Sequence, residues 1–168
     1  MKIALKYGVI IGISIAFWEM INYFFLFQYI SGKINFFIDL FILVIFIRKG
    51  IADIKIIKYN GLITFGNASL AGIQITIIAS VLLASITFGY FSIGNKNYEN
   101  FYITETIKVM KEHKMQGQKD TIDKLTISFK PINQTKSAFV ITLLIGTVVS
   151  FIFGMIFRNT LPEPILNS

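Results

Sequence analysis

The stretch Ala68–Ile93, ASLAGIQITIIASVLLASITFGYFSI, runs for 26 residues without a charged side chain. As a helix rising about 1.5 Å per residue, it is long enough to cross the roughly 30 Å hydrocarbon core of a bilayer. Thr64 or Asn67 is placed to cap its start, and Gly94-Asn95 to end it. A chain built around such a segment is expected to be a membrane protein, and the composition agrees. Of 168 residues, 54% are hydrophobic and 15% charged, where a charged share of about 25% is usual for soluble domains. Mean hydropathy is +0.67. In water, that much apolar surface would leave large exposed patches.

Working outward, Ala138–Phe157 is a second uncharged run, followed directly by Arg158. Tyr7–Ile30 lies between Lys2, Lys6 and Lys33. It is longer than the roughly 7–15-residue apolar core of a signal peptide, and Phe17-Trp18-Glu19-Met20 lacks the small residues of a cleavage site. An uncleaved first helix is the expectation. Ile34–Ile47 is shorter and ends at Arg48-Lys49-Gly50. A helix continuing to Lys58, with 34–47 as its membrane core, can still cross if its long basic side chains reach back to water. Asn60-Gly61 is a helix-stop signal. Two rival readings stand beside it: a small hairpin turning at Asn60-Gly61 between Ile56-Ile57 and Leu62-Ile63, and a re-entrant or interfacial second segment. The expected fold is all-α: an integral membrane four-helix bundle in one domain over 1–168, with spans at 7–30, 34–58, 68–93 and 138–157.

Residues 95–137 differ in kind, with eight Lys and five acidic residues. Tyr98–Met115 reads as an amphipathic helix, because Phe101, Ile103, Ile107 and Met110 recur at three- and four-residue steps. Gly117 breaks it, and Ile122–Phe129 reads as a second short helix or a strand. The Lys-rich face opposite Phe101, Tyr102, Ile107 and Met110 suits lipid headgroups, the chain's own spans or a partner. Aromatics interleaved with Lys also suit base stacking, but the membrane setting argues against a nucleic-acid partner.

Small residues recur every four positions along three runs: Gly8, Gly12 and Ala16; Ala68, Gly72, Thr76, Ser80 and Ala84; Thr142, Gly146, Ser150 and Gly154. Such a stripe stays on one helix face and lets backbones approach closely, which drives helix association in lipid. Tight packing, within the chain, with a second copy or with another membrane protein, is the plainer reading. A hydroxyl-lined permeation path is the functional one.

The formal net charge is +7. Lys2, Lys6, Arg48, Lys49, Lys55, Lys58 and Arg158 fall on one side of a four-span topology, and Lys33 and the eight Lys of 95–137 on the other. The dense short loop and the two Lys before the first span favour termini inside and 95–137 outside.

Glu19 lies near the middle of the first run, and an ionisable residue at that depth is by default a functional-site hypothesis. It is a candidate proton or cation site, held by Asn22 and by hydroxyls such as Thr76 or Ser80. The alternative is a protonated carboxyl hydrogen-bonded inside the bundle. Asp39 lies five residues into the second run, near an interface, where a site with Lys33 is conceivable. Gln28 and Gln74 are expected as interhelical hydrogen-bond partners, and His113 as a solvated surface residue. With no Cys and a single His, thiolate chemistry and multi-histidine metal sites are excluded. No Gly-rich phosphate loop, His-Glu-x-x-His or Gly-x-Ser-x-Gly motif occurs. No enzyme activity, cofactor or bound metal is therefore expected. Asn67-Ala-Ser69 and Asn133-Gln-Thr135 match glycosylation acceptors, which matter only on a eukaryotic secretory route.

Laid out this way, the chain resembles the bacterial membrane family called domain of unknown function 4199 over nearly its whole length. The resemblance rests on Leu5-Lys6-Tyr7-Gly8-Val9-Ile10-Ile11-Gly12 and on the second run ending in basic residues. It also rests on Ile63-Thr64-Phe65-Gly66-Asn67-Ala68 and on the Tyr- and Lys-rich segment before a last run containing Gly and Ser. It implies a four-helix protein of the bacterial inner membrane and carries no catalytic residue with it. The expected function is structural or partner-interacting. The alternative is a small transporter or channel subunit using Glu19. A polar, water-accessible cavity at Glu19 would favour transport, and a sealed apolar site would favour structure.

Overall fold

A computed structural model describes residues 2–25, 32–93, 96–113 and 117–159. Among them are six helices and no strand: α1 (Lys2–Phe25), α2 (Gly32–Tyr59), α3 (Phe65–Ile93), α4 (Lys96–Glu112), α5 (Gln118–Ser128) and α6 (Pro131–Phe157). The hairpin reading at Asn60-Gly61 therefore fails. Both residues do take positive φ, 48° and 85°. They close α2 through Gly61 N–H to Lys55 O at 2.9 Å, a bond that reaches back six residues to a carbonyl of the last turns. Thr64 caps α3, accepting from Asn67 N–H at 3.3 Å. Pro131 opens α6, where its missing N–H costs nothing. This helix begins seven residues before the expected 138 and so takes in Lys136. The insert forms α4 and α5 around Gly117, whose φ is 84°.

Three helices are long and apolar enough to cross a membrane: Lys2–Asn22, Phe65–Ile93 and Pro131–Phe157. Helix α2, expected as a fourth span, does not meet that measure. Helix α2 is 28 residues long, but Asp39 interrupts its apolar part and Arg48, Lys49, Asp53, Lys55 and Lys58 crowd its second half. Charge, not length, removes it from the set. The apolar surface of the bundle fits a lipid setting: Phe17, Phe41, Leu144 and Ile156 are each more than 60% exposed, and helices apolar all round belong in a large core or a bilayer.

The core is a glycine-mediated interlock. Helices α3 and α6 share the most extensive contact in the described molecule and run antiparallel: Ser69 faces Gly154, Gly72 faces Ser150 and Thr76 faces Gly146. Each glycine admits a hydroxyl side chain from the other helix where a Cβ would collide. Parallel to α3, α1 brings Gly8 against Ile75 O and Ile78, and Gly12 against Ala79 O and Leu82. Gly50, which the sequence suggested as the end of a run, lies inside α2 and leaves room for Ile75 and the Tyr7 ring. Thr76 and Ser150 return their hydroxyls to Gly72 O and Gly146 O of their own helices at 2.9 and 2.6 Å. These two buried hydroxyls are satisfied locally, as packing residues are.

At one end of the bundle, Tyr7 Oη donates to Asp53 Oδ2 at 2.5 Å, and Lys55 Nζ to Phe157 O at 3.0 Å. Asn159 exchanges bonds with Ile63, donating N–H at 2.9 Å and accepting at Oδ1 at 3.1 Å. These ties hold the start of α1, the end of α2, the entry to α3 and the end of α6 together.

Replacing Gly146 by Val should force Thr76 aside and destabilise the fold by about 1–3 kcal/mol, the usual cost of overpacking. Gly89 has nothing within 4 Å of an added Cβ, so Gly89→Ala should leave stability unchanged or raise it by up to about 1 kcal/mol. Unfolding of the purified protein in detergent micelles measures both; equal losses would refute the interlock.

Candidate functional site

At the opposite end, the second half of α1 meets the first half of α2. Glu19 and Asp39 come close enough there to interact electrostatically. Two carboxyl groups this near each other repel when both are ionised, which makes the pair a candidate site for a proton or a cation. The pair lines a cavity of about 210 Å³ between α1, α2, α3 and α6. Its polar wall is completed by Thr87, Gln134, Ser137 and Thr142, and its apolar wall includes Ile15, Leu43 and Leu83. The local sequence places each member: Glu19 is one turn beyond Ile15 on α1, Asp39 one turn before Leu43 on α2, and both apolar neighbours are 2% exposed.

Buried polar atoms gather at the same end. Trp18 Nε1, both amide atoms of Asn22, Asn35 Oδ1 and Asp39 Oδ1 are buried without a hydrogen-bond partner among the described residues. Each such group costs about 1–3 kcal/mol unless water or an ion supplies the bond. The cavity has room for several waters, since one needs only about 10–15 Å³ of such volume. It is smaller than the roughly 300–1,000 Å³ of sites for drug-sized ligands. A proton, a small hydrated cation or water fits it; a drug-sized ligand does not.

Glu19 lies in the second half of α1 (Lys2–Phe25); the rest of the 7–30 run, against which its depth was reckoned, lies outside the described residues. The arrangement differs from the sequence expectation in two respects. Thr76 and Ser80 do not approach the cavity; they belong to the α3–α6 core. Gln74 is exposed and is not an interhelical partner. Asn22 is 6% exposed, and Asp39 interacts with Glu19; the Lys33 side chain, considered as its partner, and Gln28 lie outside what is described. His113 is exposed. Thr142 belongs to the stripe whose hydroxyls were a candidate lining; Thr87, Gln134 and Ser137 were not anticipated as site residues. The four come from three turns of two other helices, and only the α3–α6 register brings them opposite Glu19. Among the described residues, no group of three His, Cys, Asp or Glu is positioned to hold a metal.

The family described as "Protein of unknown function (DUF4199)" matches residues 6–159. The chain belongs to this family. The match takes in all six helices except the first turn of α1, so the carboxyl pair, the interlock and the α4–α5 arm all lie within the family domain. Its description assigns no activity, and no role passes from it to any residue here. No curated protein and no solved structure matches the chain.

Asp39→Asn keeps an amide able to bond Glu19 and should hold stability within about 1 kcal/mol of wild type, whereas Asp39→Ala removes the partner carboxyl and should cost about 1–3 kcal/mol. Thermal unfolding in micelles decides this; identical behaviour of the two variants would mean the carboxyl contact contributes nothing.

Proposed function

We propose that this DUF4199 member is a non-enzymatic four-span protein of the inner membrane that holds a proton or a small monovalent cation between Glu19 and Asp39. In this reading its work is structural or partner-directed, and the α4–α5 arm offers the partner surface. The observation that carries the proposal is the carboxyl pair in its 210 Å³ cavity. Intramembrane carboxyls mark ion and proton sites, and the cavity is smaller than the usual site of a drug-sized ligand. Below it, Ile11, Ile47, Ile51 and Ile75 are fully buried. That apolar plug favours binding from one end over conduction through the bundle. Gln134 lines the cavity and also donates to Ser128 O at the end of α5, at 2.9 Å. Occupancy of the site and posture of the arm are thereby mechanically linked.

Two contacts support α2 as the fourth span. It touches α1 through Asp53–Tyr7 at one end and Asp39–Glu19 at the other. The two contacts are 14 residues apart on α2, about 21 Å along the helix. Both acidic residues are thus partnered, and the basic ones lie where they can snorkel. The gathering of Lys2, Lys6, Arg48, Lys49, Lys55, Lys58 and Arg158 at one end supports a cytoplasmic position for both termini. Reporters placed before Met1 and after Asn60 should then read the same side of the membrane; opposite sides would remove α2 from the spans.

A small transporter or channel subunit is the second reading, favoured by the same paired carboxyls. Proteoliposomes containing a pH dye separate the two. The binding reading expects Na⁺, K⁺ and H⁺ fluxes at the level of empty vesicles, with a thermal stability that depends on pH or cation and loses that dependence in Glu19→Gln. Flux well above background, abolished by Glu19→Gln, would establish the transporter instead.

A further inference from the structure

The basic end of the bundle carries a second concavity, unconnected with the carboxyl pair. It is a cleft of about 500 Å³ between the first turn of α1, the last turns of α2 and the first turns of α3. Its rim holds Lys2 and Lys58, and Asn67 and Gln74 stand along the α3 side. The Lys58 ammonium rests 5.1 Å from the centre of the Tyr59 ring, a cation–π contact that keeps it at the rim. No acidic side chain lines the cleft among the described residues. The one acidic residue described at this end, Asp53, is engaged by the Tyr7 hydroxyl. The cleft therefore faces its ligand with positive charge and neutral polar groups, and with no negative charge among the described residues.

Its walls are apolar. Ile57 and Leu70 are 68% and 54% exposed, and Ile54 and Ala71 close the floor. From Asn67 to Gln74 the cleft follows α3 for about 10 Å away from the rim. The lysines are at the helix ends, where headgroups lie in a membrane protein, and the apolar walls point toward the acyl region. A soluble anion would use the rim and leave the walls bare.

We propose that this cleft binds an anionic phospholipid, with its phosphate at Lys2, Lys58 and Asn67, an ester carbonyl at Gln74, and one acyl chain along Ile57 and Leu70. Basic pockets between membrane helices are the usual sites of such lipids, and the volume suits a headgroup with its glycerol. The proposal rests on the membrane placement and not on the carboxyl cavity, and its readout involves no cation.

The test uses the full chain in detergent micelles. Lipid retention is measured by native mass spectrometry with phosphatidylglycerol, phosphatidylcholine and glycerol 3-phosphate as probes. Phosphatidylglycerol should be retained over phosphatidylcholine. Lys2→Gln with Lys58→Gln should weaken retention roughly thirty-fold, about fivefold per lysine, while Lys2→Arg with Lys58→Arg keeps it. Neutralising the exposed Lys119 and Lys124 of α5 to Gln should leave it unchanged. Equal retention of the two lipids, full competition by glycerol 3-phosphate, or equal loss in the α5 pair would each overturn the proposal. Should the Gln pair fail to fold, phosphatidylglycerol carrying a photoactivatable headgroup decides the matter on the wild type. Labelling of peptides around Lys2, Lys58 and Asn67 supports the cleft, and labelling elsewhere refutes it.

Discussion

Everything in this bundle depends on how closely α3 and α6 approach. In lipid there is no hydrophobic gain from bringing two apolar helices together, so contact area and packing density have to do it. Gly72, Gly146 and Gly154 remove side chains where the partner helix presents Ser150, Thr76 and Ser69. The hydroxyls then occupy the vacated space, two of them bonded to their own backbone. That alternation fixes the register of α6 on α3 to within a turn. It also sets the height at which Gln134, Ser137 and Thr142 arrive beside Glu19.

The two ends of the bundle are chemically opposite. One is cationic, with Asp53 tied to Tyr7 and Lys55 satisfying the last carbonyl of α6. A lysine there also complements the negative end of the helix dipole. The other end collects buried carboxyl, amide and indole groups around a small cavity. Between them lies a plug of fully buried isoleucines. Such a plug insulates the ends, and in a low-dielectric core it raises the penalty on any charge that tries to pass. The two ends are therefore best understood as separate sites on one rigid scaffold.

Helix α2 is the adaptable member. Its charges keep it from the composition of an ordinary crossing helix, yet it contributes one carboxyl to each end of the molecule, Asp39 and Asp53. Both are held by α1, through Glu19 and Tyr7. The side-by-side alignment of α1 and α2 is thus written in polar contacts, whereas that of α3 and α6 is written in glycine. Polar pairs of this kind specify orientation more than they add stability.

The sequence by itself determined the helical class, the apolar runs, the stop at Asn60-Gly61, the break at Gly117 and the small-residue stripes. Each of these is a local property: periodicity, chain length and the φ preferences of single residues decide it. It also flagged Glu19, Asn22 and Asp39, because carboxyls and amides are costly in apolar runs wherever the chain goes. Only the tertiary structure decided that Glu19 and Asp39 meet, that Thr76 and Ser80 do not join them, and that Gly50 is a packing contact and not an end. It alone assembled the Lys2–Lys58 cleft from three helices. Those outcomes depend on helix register and rotation, which arise from packing between segments far apart in the chain and leave no local trace.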